Sequence, residues 1–319
     1  MENTNNFTRF GSVNGPNSGP VGRELACSIT PTMSGQEALE RAGIDWTVET
    51  RPLSSVYAAS LLPIPSNADQ TLISTRSDNG KIVGVNGSRY NVIQNDVLAE
   101  MGDAIRRVRP DACFVAGGDR NGGKQTFLQM SLSSGIDLGD GDHVERHVLL
   151  AKGHDGDALV GMGVMHRMWC MNQWTSLTKG KPRLVSIRHT ASAHDQVQEA
   201  IRLLEATFAQ FSEWDEALRR LVETPARISD YQQIICGDRP DEGRAAWEWR
   251  KRVDNLWNEY EQDFNANLVG TAAGVVMAAQ GADEHASRCR NGGRDQQRVG
   301  RMLNGNYPMA SRAMAAFTS

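Results

Sequence analysis

The densest chemistry in this sequence lies between His147 and Trp174, where HVLLAKGHDGDALVGMGVMHRMWCMNQW carries Lys152, Asp155, Asp157, His166, Arg167, Trp169, Cys170, Asn172 and Trp174. A guanidinium, indole faces and an amide in one short segment suit the holding of a phosphate and the stacking of a planar ring. They form no catalytic signature. The letters His154-Asp155-Gly156-Asp157 match part of the HD-type phosphohydrolase motif, yet that motif sits on helices and needs further His and Asp partners. A metal-dependent nuclease or hydrolase would recruit His166, His189 and His194 with Asp155, Asp157 or Asp195. Cys170, set among Met and Trp, reads as a core thiol rather than a nucleophile.

A hairpin must position these residues. The runs His147 to Lys152 and Ala158 to Val164 are apolar, and Gly153 to Asp157 between them supply the glycines and short acidic side chains of a tight reversal. The second strand is expected to run into a turn of helix. Upstream, Trp46 to Leu53 alternates like a strand that Pro52 ends or places at an edge. The runs TLISTR, KIVGV and SRYNVIQN, separated by Asp78-Asn79-Gly80 and Asn86-Gly87, predict a meander of antiparallel strands. A helix follows over Asp96 to Val108, with Val97, Leu98, Met101 and Ile105 on one face and Arg106, Arg107 and Arg109 near its negative end.

The next loop, GGDRNGGK, fails the phosphate-loop pattern because Gln125 follows Lys124. It reads as a hairpin tip carrying Arg120 and Lys124. The loop Gly135 to His143 offers Asp137, Asp140 and Asp142, but without the terminal Glu and flanking helices of a calcium loop it reads as a solvated turn. His143 and His147, four apart on a strand, lie too far from one another to share a metal.

Helical spacing takes over after a strand-like, basic stretch from Lys179 to Thr190. Ser192 is placed to cap a helix whose apolar positions are Val197, Ile201, Leu204, Phe208 and Phe211, and a second run ends at Pro225. Trp247 and Trp249 do not share a helix face, so one of them is expected at the surface. The small-residue run Leu268 to Ala282 is too short to span a bilayer and reads as a buried helix that a neighbour can approach closely. At the other end of the chain, Ser34 and Glu37 have capping-box spacing.

The expected fold is therefore α+β, with antiparallel β-meander and hairpins packed on a helix in the N-terminal half and a helical C-terminal half. Four segments follow: a flexible N-terminal arm over 1–43, a β-rich core over 44–190, a helical region over 191–282 and a basic tail over 283–319. With 34 Lys and Arg against 38 Asp and Glu, the net charge of -4 does not favour nucleic acid on the whole surface. Any such contact must rest on local patches, of which the tail arginines 288, 290, 294, 298 and 301 are the strongest. Five scattered cysteines without a CxxC pair, and an N-terminus without signal-peptide features, point to free thiols and a cytoplasmic location.

Several of these stretches together resemble a known family. WTVE, GSRYNVIQN, the turn at His154, HRMWCMN and IRHTASAHDQVQEA follow one another as in the phage/plasmid-like protein family called domain of unknown function 932. The resemblance runs from Trp46 to about Ala282 and is strongest at Tyr90 to Asn95, Arg167 to Asn172 and Arg188 to Thr190. It implies a gene carried on phages or plasmids and brings no activity with it. In outline the chain is also similar to single-strand annealing proteins of phage recombination systems, which need a groove of cations with aromatic faces and no catalytic group. That likeness places Lys124, Lys152, Arg167 and Arg188 on phosphates, with Trp169 or Trp174 stacking on bases. Single-stranded nucleic acid is the expected partner of a homo-oligomer, with no membrane, cofactor or metal. The alternative is a non-catalytic structural or regulatory protein that binds another protein through exposed tryptophans and the Ala/Gly helix.

Overall fold

A computed structural model describes residues 34–138, 143–167, 173–174, 183–190, 192, 195–197, 200, 210–285 and 306–318. It is an α+β structure, with antiparallel sheets in the N-terminal half and helices in the C-terminal half. The chain forms two compact units whose segments interleave. The β-rich unit takes Met1–Ser133, His147–Gly163 and Arg183–Thr207, and the helical unit takes Ser134–Arg146, Val164–Pro182 and Phe208–Ser319.

The β-rich unit begins with α1 (Gly35–Ala42). The hydroxyl of Ser34 accepts from the Glu37 N–H, and the Glu37 carboxylate accepts from the Ser34 N–H, the reciprocal cap expected from their spacing. Gly43, at φ 64°, closes the helix. Strands β1 (Val48–Pro52), β2 (Thr71–Arg76) and β3 (Ile82–Gly87) pair antiparallel in that order, with a short helix α2 (Leu53–Ala59) between the first two. Gly80, at φ 69°, makes the β2–β3 turn.

The third strand of the expected meander does not form. After β3 the residues Ser88 to Asn95 run without regular structure, and the Gln94 amide does the pairing instead: it accepts from the Val48 N–H (2.8 Å) and donates to the Val48 carbonyl (2.9 Å). A side chain that satisfies both backbone groups of Val48 removes the need for a strand there. Helix α3 (Asp96–Val108) buries Val97, Leu98, Met101 and Ile105 as its periodicity predicts. It lies tight against α1, since a Cβ on Gly35 would meet the Ala99 carbonyl oxygen at 2.5 Å.

The second sheet contains β4 (Cys113–Arg120), β5 (Gln125–Asp137), β6 (His143–Gly153), β7 (Leu159–Arg167), β8 (Gln173–Trp174) and β9 (Arg183–Ile187). The order is β4-β5-β6-β7-β8, and β9 also pairs with β7. Met165 pairs antiparallel with Trp174 and His166 with Gln173, and residues 168–172 between them, where a turn of helix is expected, lie outside the described residues.

The helical unit contains α4 (Gln210–Glu223), α5 (Ile228–Cys236), α6 (Gly243–Tyr260), α7 (Ala272–His285) and α8 (Pro308–Thr318). The expected small-residue helix is α7, and Ala272, Ala273, Val275, Ala278 and Ala279 in it are fully buried. Its glycines allow the close approach the sequence predicts: a Cβ on Gly274 would lie 2.2 Å from the Leu268 oxygen, and one on Gly281 2.4 Å from the Glu259 carboxylate of α6. The buried Asp283 carboxylate accepts from the Met309 (2.8 Å) and Ala310 (3.1 Å) N–H groups, capping the first turn of α8. Trp247 is the exposed member of its pair, while Trp249 donates its indole N–H to the Gly237 carbonyl (2.7 Å). No helix among the described residues is long and apolar enough to cross a membrane.

Candidate functional site

Three turns of the β-rich unit meet at one end. The β4–β5 turn and the β6–β7 turn are joined by the His154 N–H donating to the Lys124 carbonyl at 2.8 Å. The β2–β3 hairpin packs on the same place, because a Cβ on Gly84 would sit 1.9 Å from the His154 oxygen, so only glycine permits that contact. Asn86 then donates to the same oxygen at 2.9 Å. Lys81 reaches over the β4–β5 turn, where a Cβ on Gly122 would meet its ammonium at 1.9 Å. The segments after β3 and after β9 complete the end: the Asn91 N–H donates to the His189 carbonyl (3.2 Å), and the Tyr90 and His189 rings stack 4.8 Å apart.

Within this end lies a buried polar group of unusual size. The Asn95 amide nitrogen donates to the Ile44 (2.9 Å) and Trp46 (3.0 Å) carbonyls, which fixes its oxygen as an acceptor. Thr126 donates to that oxygen at 3.0 Å, and His154 Nε2 lies 3.3 Å from it. His154 Nε2 therefore carries the proton, and its neutral Nδ1 presents a lone pair without a partner. Burial, and then Lys152, His189 and Arg76, push the His154 pKa down to about 2. Burial and Lys152 likewise lower His189 to about 4. Both imidazoles are neutral at neutral pH.

Lys152, expected on a phosphate, is instead inside the protein. It is 2 % exposed, its ammonium donates to the Ile93 carbonyl, and burial holds its pKa well below the ordinary lysine range despite Asp96. Strand β6 is buried on both faces here, with Leu149 and Ala151 as enclosed as Val148 and Leu150, so Lys152 is inside whichever face it takes. It cannot reach a nucleic-acid backbone from there. Arg76, also buried, is held by Asp78 (2.6 Å) and Asp119 (3.1 Å) and lies 4.2 Å from the centre of the Trp46 ring.

The other expected site residues divide. Lys124 and Arg188 are exposed and both belong to this end of the β-rich unit. Arg167 ends β7 and Trp174 lies in β8, in segments of the helical unit. Trp169, Cys170 and the arginines of the tail lie outside the described residues. Trp46, Tyr90, Asn95, His154 and His189 form the centre, and sequence reasoning did not bring them together. Their sequence signal is that each lies in a stretch that carries the family resemblance: WTVE, GSRYNVIQN, the turn at His154 and IRHT. Among the described residues no three His, Cys, Asp or Glu side chains are grouped to hold a metal ion.

The family model described as a domain of unknown function, DUF932, matches residues 82–303. No curated protein matches the chain, and no solved structure does.

Proposed function

This chain belongs to the DUF932 family, and from that premise we propose a non-catalytic single-stranded DNA binding protein of the annealing type, serving a phage or plasmid recombination system as a homo-oligomer. The turn end of the β-rich unit is the face that meets the strand. One observation carries the reading: exposed Lys81, Lys124 and Arg188, from three separate parts of the chain, are held at one end by turns bonded to each other. Fixed cations of this kind follow a phosphate backbone without reading sequence. Two carboxylates at this end have partners, Asp78 with Arg76 and Asp157 with Gln125, although both remain exposed. Asp155 is exposed at the same turn, and with Asp78 and Asp157 it opposes binding locally.

The test is fluorescence anisotropy of a labelled single-stranded oligonucleotide at low and moderate salt, beside light scattering for oligomer size. Binding should weaken with salt, and Lys124→Ala with Arg188→Ala should reduce the slope of log K against log salt by about 1.4, two phosphates' worth. Asp155→Asn should tighten binding. Absence of binding at low salt, or a slope untouched by the paired substitution, would sink the reading.

A protein-binding role has its own support in the exposed run Leu61, Leu62 and Ile64 after α2, where Leu61 is 94 % exposed at a positive φ of 53°. Substituting all three with serine should leave oligonucleotide binding unchanged. Under this second reading it would abolish self-association or partner capture instead.

A further inference from the structure

Three aromatic or imidazole side chains at the centre of the turn end have hydrogen-bonding atoms without a partner in the protein: Trp46 Nε1, Tyr90 OH and His154 Nδ1. Buried polar atoms are almost always paired, so three in two neighbouring pairs of rings call for a partner from outside. The rings are linked in space, Trp46 to His154 at 5.5 Å between centroids and Tyr90 to His189 at 4.8 Å. Trp46, His154 and His189 are each more than nine-tenths buried, and Tyr90 is half-buried, so it is the ring that an incoming group meets first.

We propose that this ring cluster is a recognition site for a single nucleobase, lifted from the strand whose phosphates lie on Lys124 and Arg188. The inference rests on the proposed strand binding and adds a base-reading element to it. The unsatisfied atoms are of mixed character. Trp46 Nε1 can only donate, His154 Nδ1 with its proton on the other nitrogen can only accept, and the Tyr90 hydroxyl can do either. A nucleobase edge also sets donors beside acceptors on a flat ring, and its faces suit aromatic walls. A phosphate, which only accepts, would leave the His154 lone pair unmet. The neutrality of both imidazoles favours an uncharged ring over an anion for the same reason.

The experiment compares oligodeoxythymidine with an abasic strand of the same length, by anisotropy at low salt, for the native chain and for Tyr90→Phe and His154→Gln. The base-bearing strand should bind at least about tenfold more tightly. Tyr90→Phe removes an unpartnered hydroxyl and keeps the stack on His189, so it should leave the melting temperature in place and narrow the gap by about 3- to 10-fold. His154→Gln should narrow it too. Where that variant lowers folding stability, Tyr90→Phe decides alone. Equal binding of the two strands, or a gap that Tyr90→Phe does not change, overturns the base site and leaves backbone binding standing. Failure of both strands to bind removes the strand-binding reading itself.

Discussion

Two buried polar sites, one in each unit, are used in opposite ways. In the helical unit the Asp283 carboxylate sits among alanines and meets two N–H groups of α8, so it serves the architecture by closing a helix end. In the β-rich unit His154, His189 and Lys152 are as deeply buried, yet they repel one another's charged forms and leave His154 Nδ1 without a partner. Folding alone does not call for that arrangement, because apolar rings of the same size would fill the space at lower cost. The difference separates a polar group that holds a fold together from one whose neighbours leave it unsatisfied, which is the ground of the proposed binding site.

Four substitutions or conditions bear on this contrast. The largest effect is expected at Gly84, where any Cβ collides with the backbone of His154. Gly84→Ala should cost about 3 kcal/mol in urea unfolding, and a loss under about 1 kcal/mol would mean that β3 and the turn are not in contact. Asp283→Ala should cost about 2 kcal/mol by leaving two N–H groups of α8 uncapped. If Asp283→Ala proves silent, the architectural half of the contrast fails.

Acid should then distinguish the histidine pair. Their folded pKa values, about 2 for His154 and about 4 for His189, lie below the ordinary 6.5, so between pH 6.5 and 4 the unfolded chain takes up protons that the folded chain refuses. The histidine contribution to stability is full above pH 6.5 and falls as pH drops through that window, by up to about 1.4 kcal/mol per pH unit for each imidazole. His189→Phe keeps a ring against Tyr90 and should remove its share of the slope, as read from unfolding midpoints at several pH values. The smallest effect is expected at Glu248, whose exposed pair with Arg244 on α6 (2.9 Å) should be worth under about 0.5 kcal/mol when Glu248→Ala is compared with the native chain.

Much of the fold was legible because its causes are local. The cap of α1, the buried face of α3, the turn glycines and the small-residue helix α7 each follow from residues a few positions apart. Two of the expected cations, Lys124 and Arg188, are exposed, since hairpin tips and strand ends expose their side chains. The strand expected through Tyr90 to Asn95 was lost because Gln94 pairs with Val48, 46 residues away, and no short-range pattern announces that bond.

By itself, the sequence determined which segments are strands and helices over most of the described chain, where they reverse, and that the protein is α+β, because period and turn chemistry are written in neighbouring residues. Only the tertiary structure decided that Lys152 is buried rather than exposed, and that Tyr90 lies on His189 and Trp46 beside His154. Those placements depend on pairings between strands and segments far apart in the chain. The energy of a buried amine or imidazole is set by what surrounds it in space, which neighbours in sequence do not specify.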